Sequence, residues 1–311
     1  MIYLVGPTAV GKTALSIQLA KRYHAEILSM DSMQIYRGMD IGTAKATPTE
    51  RATVVHHLLD FQSPDVRFTV RDYQARAQQC AKEVLARGKL PLFVGGTGLY
   101  LLALTKDYQF GDFNVDPQLR SELQAAYQRD GGTALYMQLQ AVDPQTARGL
   151  VPADRKKIIR AMEVYLRTGK PLSAHHALDQ ARPVNENALV LVLTDVRERL
   201  YARIDRRVDE MLQQGLVQEN QRLLQEGISP HAQAMQAIGY KEVQWYLRGL
   251  VSYAEMRRLI AQHSRNYAKR QLTWFRKVPH AQWFSRSDYT QSELFTALCA
   301  SIDEFLLKIK D

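Results

Sequence analysis

Gly6-Pro7-Thr8-Ala9-Val10-Gly11-Lys12-Thr13 fits the phosphate-loop pattern G-x-x-x-x-G-K-[ST], and its flanks decide how it is read. Met1 to Val5 is a short apolar run that reads as a buried strand, and Ala14 to Tyr23 reads as a helix. The motif therefore has the strand-loop-helix setting it needs. Glycines 6 and 11 let the backbone curl with its N–H groups inward, and the following helix adds its positive N-terminal end, which together favour phosphate oxygens. Lys12 can reach a phosphate oxygen. The Thr13 hydroxyl suits Mg²⁺, which takes few protein ligands beside phosphate and water. Such a loop holds either a nucleotide whose phosphoryl group moves or a diphosphate that departs, and the rest of the chain must choose.

The 311 residues, 46% hydrophobic and 23% charged, predict a full core with two domains or one domain carrying a large insertion. Lys and Arg exceed Asp and Glu by 9, which favours a polyanionic partner without naming it. Cys80 and Cys299 are too few for a disulfide framework or a zinc cluster, so a reducing compartment is expected. No apolar run is long enough to span a membrane, and no basic flank with a signal core opens the chain. A cytoplasmic monomer without membrane association is the expectation.

Downstream, Glu26 to Met30 reads as a strand that ends in Asp31-Ser32-Met33-Gln34. In a parallel sheet Asp31 then shares an edge with the phosphate loop. It could bind Mg²⁺, orient a substrate, accept a proton, or simply cap a turn. Val55 to Asp60 is a third strand-like run, whose adjacent His56 and His57 point to opposite faces and make a poor metal pair. Thr69 to Arg87 has helical spacing, and Leu90 to Val94 is a buried strand running into Gly95-Gly96-Thr97-Gly98, where backbone can approach a ligand closely. A typical phosphate-loop ATPase has an Asp at the end of such a strand. Gly95 in its place counts against nucleotide hydrolysis.

From Asp116 to Arg182 the pattern becomes helix after helix, opened at Asp116-Pro117 and Asp143-Pro144 and closed at Gly131-Gly132 and Gly169. Arg155, Lys156, Lys157 and Arg160 crowd the start of one helix, where cations are disfavoured by the dipole; they suggest an outside anion or a solvated face. Residues 1–115 and 184–311 are thus expected to form the core around a helical insertion at 116–183. Leu189 to Leu193 returns to a strand, and helices follow at Arg197 to Gln214 and Leu216 to Gln225. The last long helix, Tyr253 to Lys277, has seven Lys or Arg and no acid from Arg257 onward, with Arg258, Arg265, Lys269 and Arg276 in one stripe opposite Ile260, Tyr267 and Trp274. A nucleic-acid backbone is the expected partner of that stripe.

Taken together, GPTAVGKT, DSMQ at 31–34, Thr43-Ala44-Lys45, His56-His57, GGTGLY at 95–100, the Ala237 to Lys241 turn and KRQLTWFR at 269–276 resemble the tRNA dimethylallyltransferases over nearly the whole chain. The resemblance implies an α/β fold: a P-loop NTPase-like parallel sheet flanked by helices, with an inserted all-helical domain that clamps the anticodon stem. It implies transfer of a dimethylallyl group from dimethylallyl diphosphate to N6 of the adenosine 3′ of a tRNA anticodon, with Mg²⁺. Residues Gly6 to Thr13 would hold the diphosphate, with Lys12, Thr13, Asp31 and Arg120 at the chemistry and Asp31 as general base. Ser32, Met33, Gln34, Thr97, Arg120, Lys156, Lys157, Arg160, Gly239, Tyr240, Lys241, Arg265, Lys269, Arg270 and Arg276 would meet the tRNA. Lys156-Lys157 stands where the family tends to have Gln-Arg, which keeps charge but puts any bond needing an amide or a guanidinium fork in question. Two rivals use the same loop: a small-molecule or nucleoside kinase, and a non-catalytic RNA-binding NTPase switch.

Overall fold

The computed structural model describes residues 1–106, 116–183, 185 and 187–309. It divides into two compact units, Met1–Thr105 with Val184–Asp311, and Lys106–Pro183. Residues 107–115, which the sequence reading assigned to the core, lie outside the described residues.

The first unit begins β1 (Ile2–Val5), α1 (Lys12–Arg22), β2 (Ala25–Met30), α2 (Pro48–Thr53), β3 (His56–His57), α3 (Val70–Ala86), β4 (Leu90–Gly95) and α4 (Gly98–Thr105). The second unit holds α5 (Pro117–Asp130), α6 (Thr133–Val142), α7 (Pro144–Ala147), α8 (Arg155–Thr168) and α9 (Leu172–Ala181). The first then resumes with β5 (Leu189–Thr194), α10 (Arg197–Gln213), α11 (Leu216–Gln225), α12 (Tyr240–Leu247), α13 (Tyr253–Phe275), β6 (Gln282–Ser285) and α14 (Gln291–Lys308).

The six strands form one parallel sheet in the order β3-β2-β4-β1-β5-β6. Strands β1, β2 and β5 are buried almost throughout because helices cover both faces, as parallel sheets require; β1 and β5 are mostly apolar, and β2 also buries Glu26 and Ser29. The chain leaves β1 past β4 toward β2 and leaves β4 past β1 toward β5, so the connections from these neighbouring strands run in opposite directions. That is the switch point where open α/β sheets bind ligands, at the strands' carboxyl ends. Val5 and Met30 both pair with Gly95, which brings the ends of β1, β2 and β4 level.

Three features depart from the sequence reading. The third strand is only two residues long. The run after Gly98 is a helix, α4, buried almost all round, and its uniform apolarity erased the helical period. The carboxyl-terminal β6 and α14 had no assignment, although Thr290 and Glu293 form a capping box at the start of α14.

The second unit has its own core of Leu123, Leu135, Leu139, Ile158 and Met162. Its proline-initiated helices are capped as the sequence suggests, Asp116 accepting from the N–H groups of Gln118 and Leu119. The first unit has two hydrophobic clusters. One lies between the sheet, α1, α10 and α14; the other gathers Ile35, Tyr36, Met39, Leu216, Tyr240 and Ile260. Among the described residues no helix is long and apolar enough to cross a membrane.

Candidate active site

Between β1 and α1 the phosphate loop curls through Ala9 (φ 62°) and Gly11 (φ 94°), the latter starting α1 as its N-cap. Left-handed residues so close together turn successive N–H groups into one concavity, and a non-glycine there costs on the order of 1 kcal/mol of strain. Gly6 is required because a Cβ would stand 2.5 Å from the Leu193 carbonyl oxygen in β5. Val10 turns its side chain into the core rather than the concavity, and its carbonyl accepts from Arg286 Nη1 at 2.9 Å. Thr8, Ala9, Gly11, Lys12 and Thr13 line a cavity of about 420 Å³.

Lys12 is enclosed. Its Nζ donates to the carbonyls of Gly6 and Pro7, both at 2.9 Å. Burial, then the neighbouring Arg207, lower its pKa to about 7, with Asp31 opposing. An anion in this cavity would favour the charged form of the amine.

Sequence reading missed the cations of α10. Arg203, Arg206 and Arg207 line the same cavity. Arg203 forms an ion pair with buried Asp195, and Arg207 is lowered in pKa by burial, with Asp31 and Glu210 opposing. The available signal for Arg203 and Arg207 was their place beside the apolar row Leu200, Ile204 and Val208, all buried. Arginines bordering a buried stripe are less hydrated than arginines on an outer face.

A second cavity of about 360 Å³ is lined by Met33, Ile204, Val208, Met211, Ile238, Gly239, Lys241, Ser264 and Arg270. Thr8, Ala9, Asp31, Thr43, Arg207 and Tyr267 line both cavities. Asp31 therefore stands where an anion cradle opens into a more apolar chamber.

The Asp31 carboxylate does cap a turn: Oδ1 accepts from Met33 N at 2.8 Å and Gln34 N at 3.4 Å. Its other oxygen has no partner among the described residues. Capping and chemistry are compatible, because the cap fixes the carboxylate and leaves one oxygen to work. The Gln34 carboxamide is spent internally, accepting from Ser29 Oγ and donating to the carbonyls of Thr43 and Ala44. Thr97 accepts from Ser32 N at 3.0 Å and bonds Tyr267, so it braces the Asp31 turn from behind.

Several expectations need correction. Gly95 and Gly96 do line the first cavity, but the missing Cβ atoms at Gly96 and Gly98 make room for α13: a Cβ at either would overlap Gln271 or Trp274. Gly95 is equally constrained, since a Cβ would overlap the Met30 backbone, so no acid fits at the end of β4. Tyr240 is fully buried, with its hydroxyl donating to Glu219, and cannot meet an RNA. That Glu219 carboxylate also takes the N–H groups of Asp40, Ile41 and Gly42, clasping the loop that presents Thr43. Gly239 (φ 96°) and Lys241 do line the second cavity. Of the adjacent histidines, His57 bonds Glu26 and His56 reaches the first cavity.

The basic helix is less bare than its own sequence suggests. Arg257 and Arg265 pair with Asp209 and Asp205 of α10, and Arg258 pairs with Glu255. Lys269, Arg270 and Arg276 are exposed and have no acidic partner among the described residues. Arg270 lies 5.7 Å from the Tyr267 ring centroid.

In the second unit Arg120 and Arg160 both reach the buried carboxylate of Glu163, at 2.5 and 2.9 Å. Lys157 pairs with Asp154, one residue before α8, so two of the four crowded cations, Lys157 and Arg160, find acids within the chain. Lys156 is exposed.

The model of the IPP transferase family matches residues 34–278, and an isopentenyl transferase model matches 1–64. A tRNA dimethylallyltransferase of Symbiobacterium thermophilum is 48% identical, covering 91% of this chain and 88% of its own. The chain belongs to the tRNA dimethylallyltransferase family. Among solved members of that family, the full-length tRNA isopentenylpyrophosphate transferase of Bacillus halodurans is 40% identical, with a TM-score of 0.73, over 100% of this chain and 99% of its own. A eukaryotic dimethylallyltransferase described as acting on tRNA superposes with a TM-score of 0.80 at 27% identity, over 98% of this chain and 79% of its own. The dimethylallyltransferase family therefore accounts for nearly the full length, and the kinase and NTPase-switch alternatives are not favoured.

Proposed function

We propose that this chain transfers the dimethylallyl group of dimethylallyl diphosphate to N6 of the adenosine next to the 3′ side of a tRNA anticodon. The observation that carries the reading is the meeting of two cavities at Asp31, one an anion cradle and the other lined by Met33, Ile204, Val208 and Ile238. A diphosphate occupies the cradle, held by loop N–H groups, Lys12, Arg203 and Arg207. The target base enters the second cavity, leaving its stack at a cost of a few kcal/mol, least where the strand is already single.

N6 attacks the allylic carbon, the C–O bond breaks, and diphosphate leaves with the electron pair. Charge on the leaving group grows in this step, so fixed cations and N–H dipoles lower the barrier. No phosphoryl group moves. An exocyclic amine is too weak an acid for a carboxylate of ordinary pKa, about 4, to deprotonate in advance. The free oxygen of Asp31 accepts the proton as the new C–N bond forms.

Thr13, at the cradle with its hydroxyl, is the residue suited to Mg²⁺, which needs only one protein oxygen when phosphate and water supply the rest. When bound, the ion would neutralise charge on the departing diphosphate. Lys269, Arg270 and Arg276 hold tRNA phosphates, and Arg120, Lys156, Lys157 and Arg160 of the helical unit add contacts to the anticodon stem.

Nucleoside mass spectrometry of unmodified tRNA, incubated with the protein and Mg²⁺ and either dimethylallyl diphosphate or ATP, tests this. Dimethylallyladenosine is expected only with the diphosphate. ADP formation without modified adenosine would overturn the assignment.

A further inference from the structure

Gln271 is 3% exposed and sits in the middle of α13, one residue from exposed Arg270. Its carboxamide is used at both ends: Oε1 accepts from Thr8 N at 2.9 Å, and Nε2 donates to the Gly96 carbonyl at 2.8 Å. It thus ties the phosphate loop after β1 to the turn after β4. Tyr267, one helical turn earlier, bonds both Gln271 and Thr97, and Thr97 holds Ser32 beside Asp31. Trp274, three residues later, fills the space left by the missing Cβ of Gly98.

Residues 267, 271 and 274 follow i, i+4, i+7 spacing and form one face of a helix. That single face touches the loops after β1 and β4 and, through Thr97, braces the one after β2. Lys269 and Arg276 lie on the opposite side, and Arg270 flanks the face beside the Tyr267 ring. A helix moves as a rigid body, so whatever seats on Lys269, Arg270 and Arg276 shifts Thr8 and Gly96 together. Gly96 cannot absorb such a shift independently, because its backbone is already at contact distance from Gln271.

We propose that Gln271 is a positioning residue that sets the diphosphate loop in register with the RNA-docking helix, so that bound tRNA tightens binding of the diphosphate. This rests on the function proposed above, because it takes α13 as an RNA-docking surface. Gln271 borders the cradle, but both polar ends of its carboxamide are taken by Thr8 and Gly96, so it acts through them.

The test titrates inorganic diphosphate with Mg²⁺, with and without saturating unmodified tRNA, in the wild type and in Gln271→Met. Methionine keeps the length and volume but removes both bonds. In the wild type, tRNA is expected to raise diphosphate affinity. In Gln271→Met that enhancement disappears and KM for dimethylallyl diphosphate rises about tenfold, as loss of one or two net hydrogen bonds allows, and by more than kcat falls. The tRNA Kd stays as in the wild type. Gln271→Glu carries the same test if the methionine variant does not fold: it keeps an acceptor for Thr8 N–H but sets an oxygen against the Gly96 carbonyl, and reduced enhancement is expected. Wild-type diphosphate affinity indifferent to tRNA, or full enhancement in the folded variant, would overturn the proposal. Because the titration involves no transfer, a wild type that makes no dimethylallyladenosine would sink the assigned reaction separately from the coupling.

Discussion

The phosphate loop and the basic helix α13 border the same site but were written into the sequence in different ways. The loop is recognisable from its own eight residues and their flanks, a short strand before and a helix after, although Leu193, Arg286 and Gln271 also hold it in place. Helix α13 owes its meaning to other elements. Two of its cations are matched by Asp205 and Asp209 of α10, and its Gln271 and Trp274 explain glycines 96 and 98, well over a hundred residues away. Local conformation is legible locally, whereas the partner of a helix face is set by packing.

The largest effect should come from Asp31, where the local and the catalytic readings coincide. Asp31→Ala removes both the turn cap and the proton acceptor. Asp31→Asn keeps an oxygen for the N–H groups of Met33 and Gln34 while abolishing the base. Turnover with saturating tRNA is expected to fall about 10²–10⁴-fold in both variants, with tRNA affinity kept in the asparagine variant. If Asp31→Asn instead retains near-normal turnover while Asp31→Ala loses it, the cap is what matters and the base lies elsewhere.

The same contrast explains what sequence could and could not say. Asp31 was placed at a strand's carboxyl end beside the phosphate loop by hydrophobic pattern alone, and the parallel sheet with its inserted helical stretch was readable from periodicity and glycine-proline punctuation. Arg203 and Arg207 were not recognised, because in an acid- and base-rich helix nothing but proximity to Leu200, Ile204 and Val208 distinguishes a cation that lines a cavity. The turn at glycines 95–98 was read as a place where backbone can approach a ligand. Gly95 and Gly96 do border the first cavity, but the missing Cβ atoms at 96 and 98 also make room for a helix, which the sequence alone does not reveal.

Lys12 gives a smaller, graded effect that sharpens the loop side of the comparison. With its pKa near 7 in the empty loop, the side chain is charged below pH 7 and neutral above it. Diphosphate requires the charged form, so binding takes up a proton above pH 7, and affinity falls as pH rises, by up to about tenfold per unit. Folding runs the other way: the unfolded lysine holds its proton to about pH 10.4, so this residue's contribution to stability rises with pH between 7 and that value. Calorimetry at pH 8 in buffers of different ionisation enthalpy should read the uptake, and Lys12→Arg, always charged, should abolish it. Equal uptake in both proteins would place the titrating group outside the loop.

The smallest effect separates paired from unpaired cations on α13. Each phosphate contact adds about one unit to the slope of log affinity against log salt. Lys269→Glu and Arg270→Glu should therefore each weaken tRNA binding and flatten that slope by about one. Arg257, whose guanidinium donates two bonds to Asp209, already has its counter-ion in the protein. Arg257→Ala should leave the slope unchanged and alter stability by at most about 1 kcal/mol, the range of exposed ion pairs. Arg265 lies between these cases. It is paired with Asp205 and lies 6.0 Å from the Tyr201 ring centroid, so its replacement should cost packing as well as charge. If Arg257 and Arg265 flatten the salt dependence as much as Lys269 does, then tRNA displaces the acids of α10. The pairing within the free protein would then be a competitor for the RNA, and the stripe read from the sequence would be the surface presented to it.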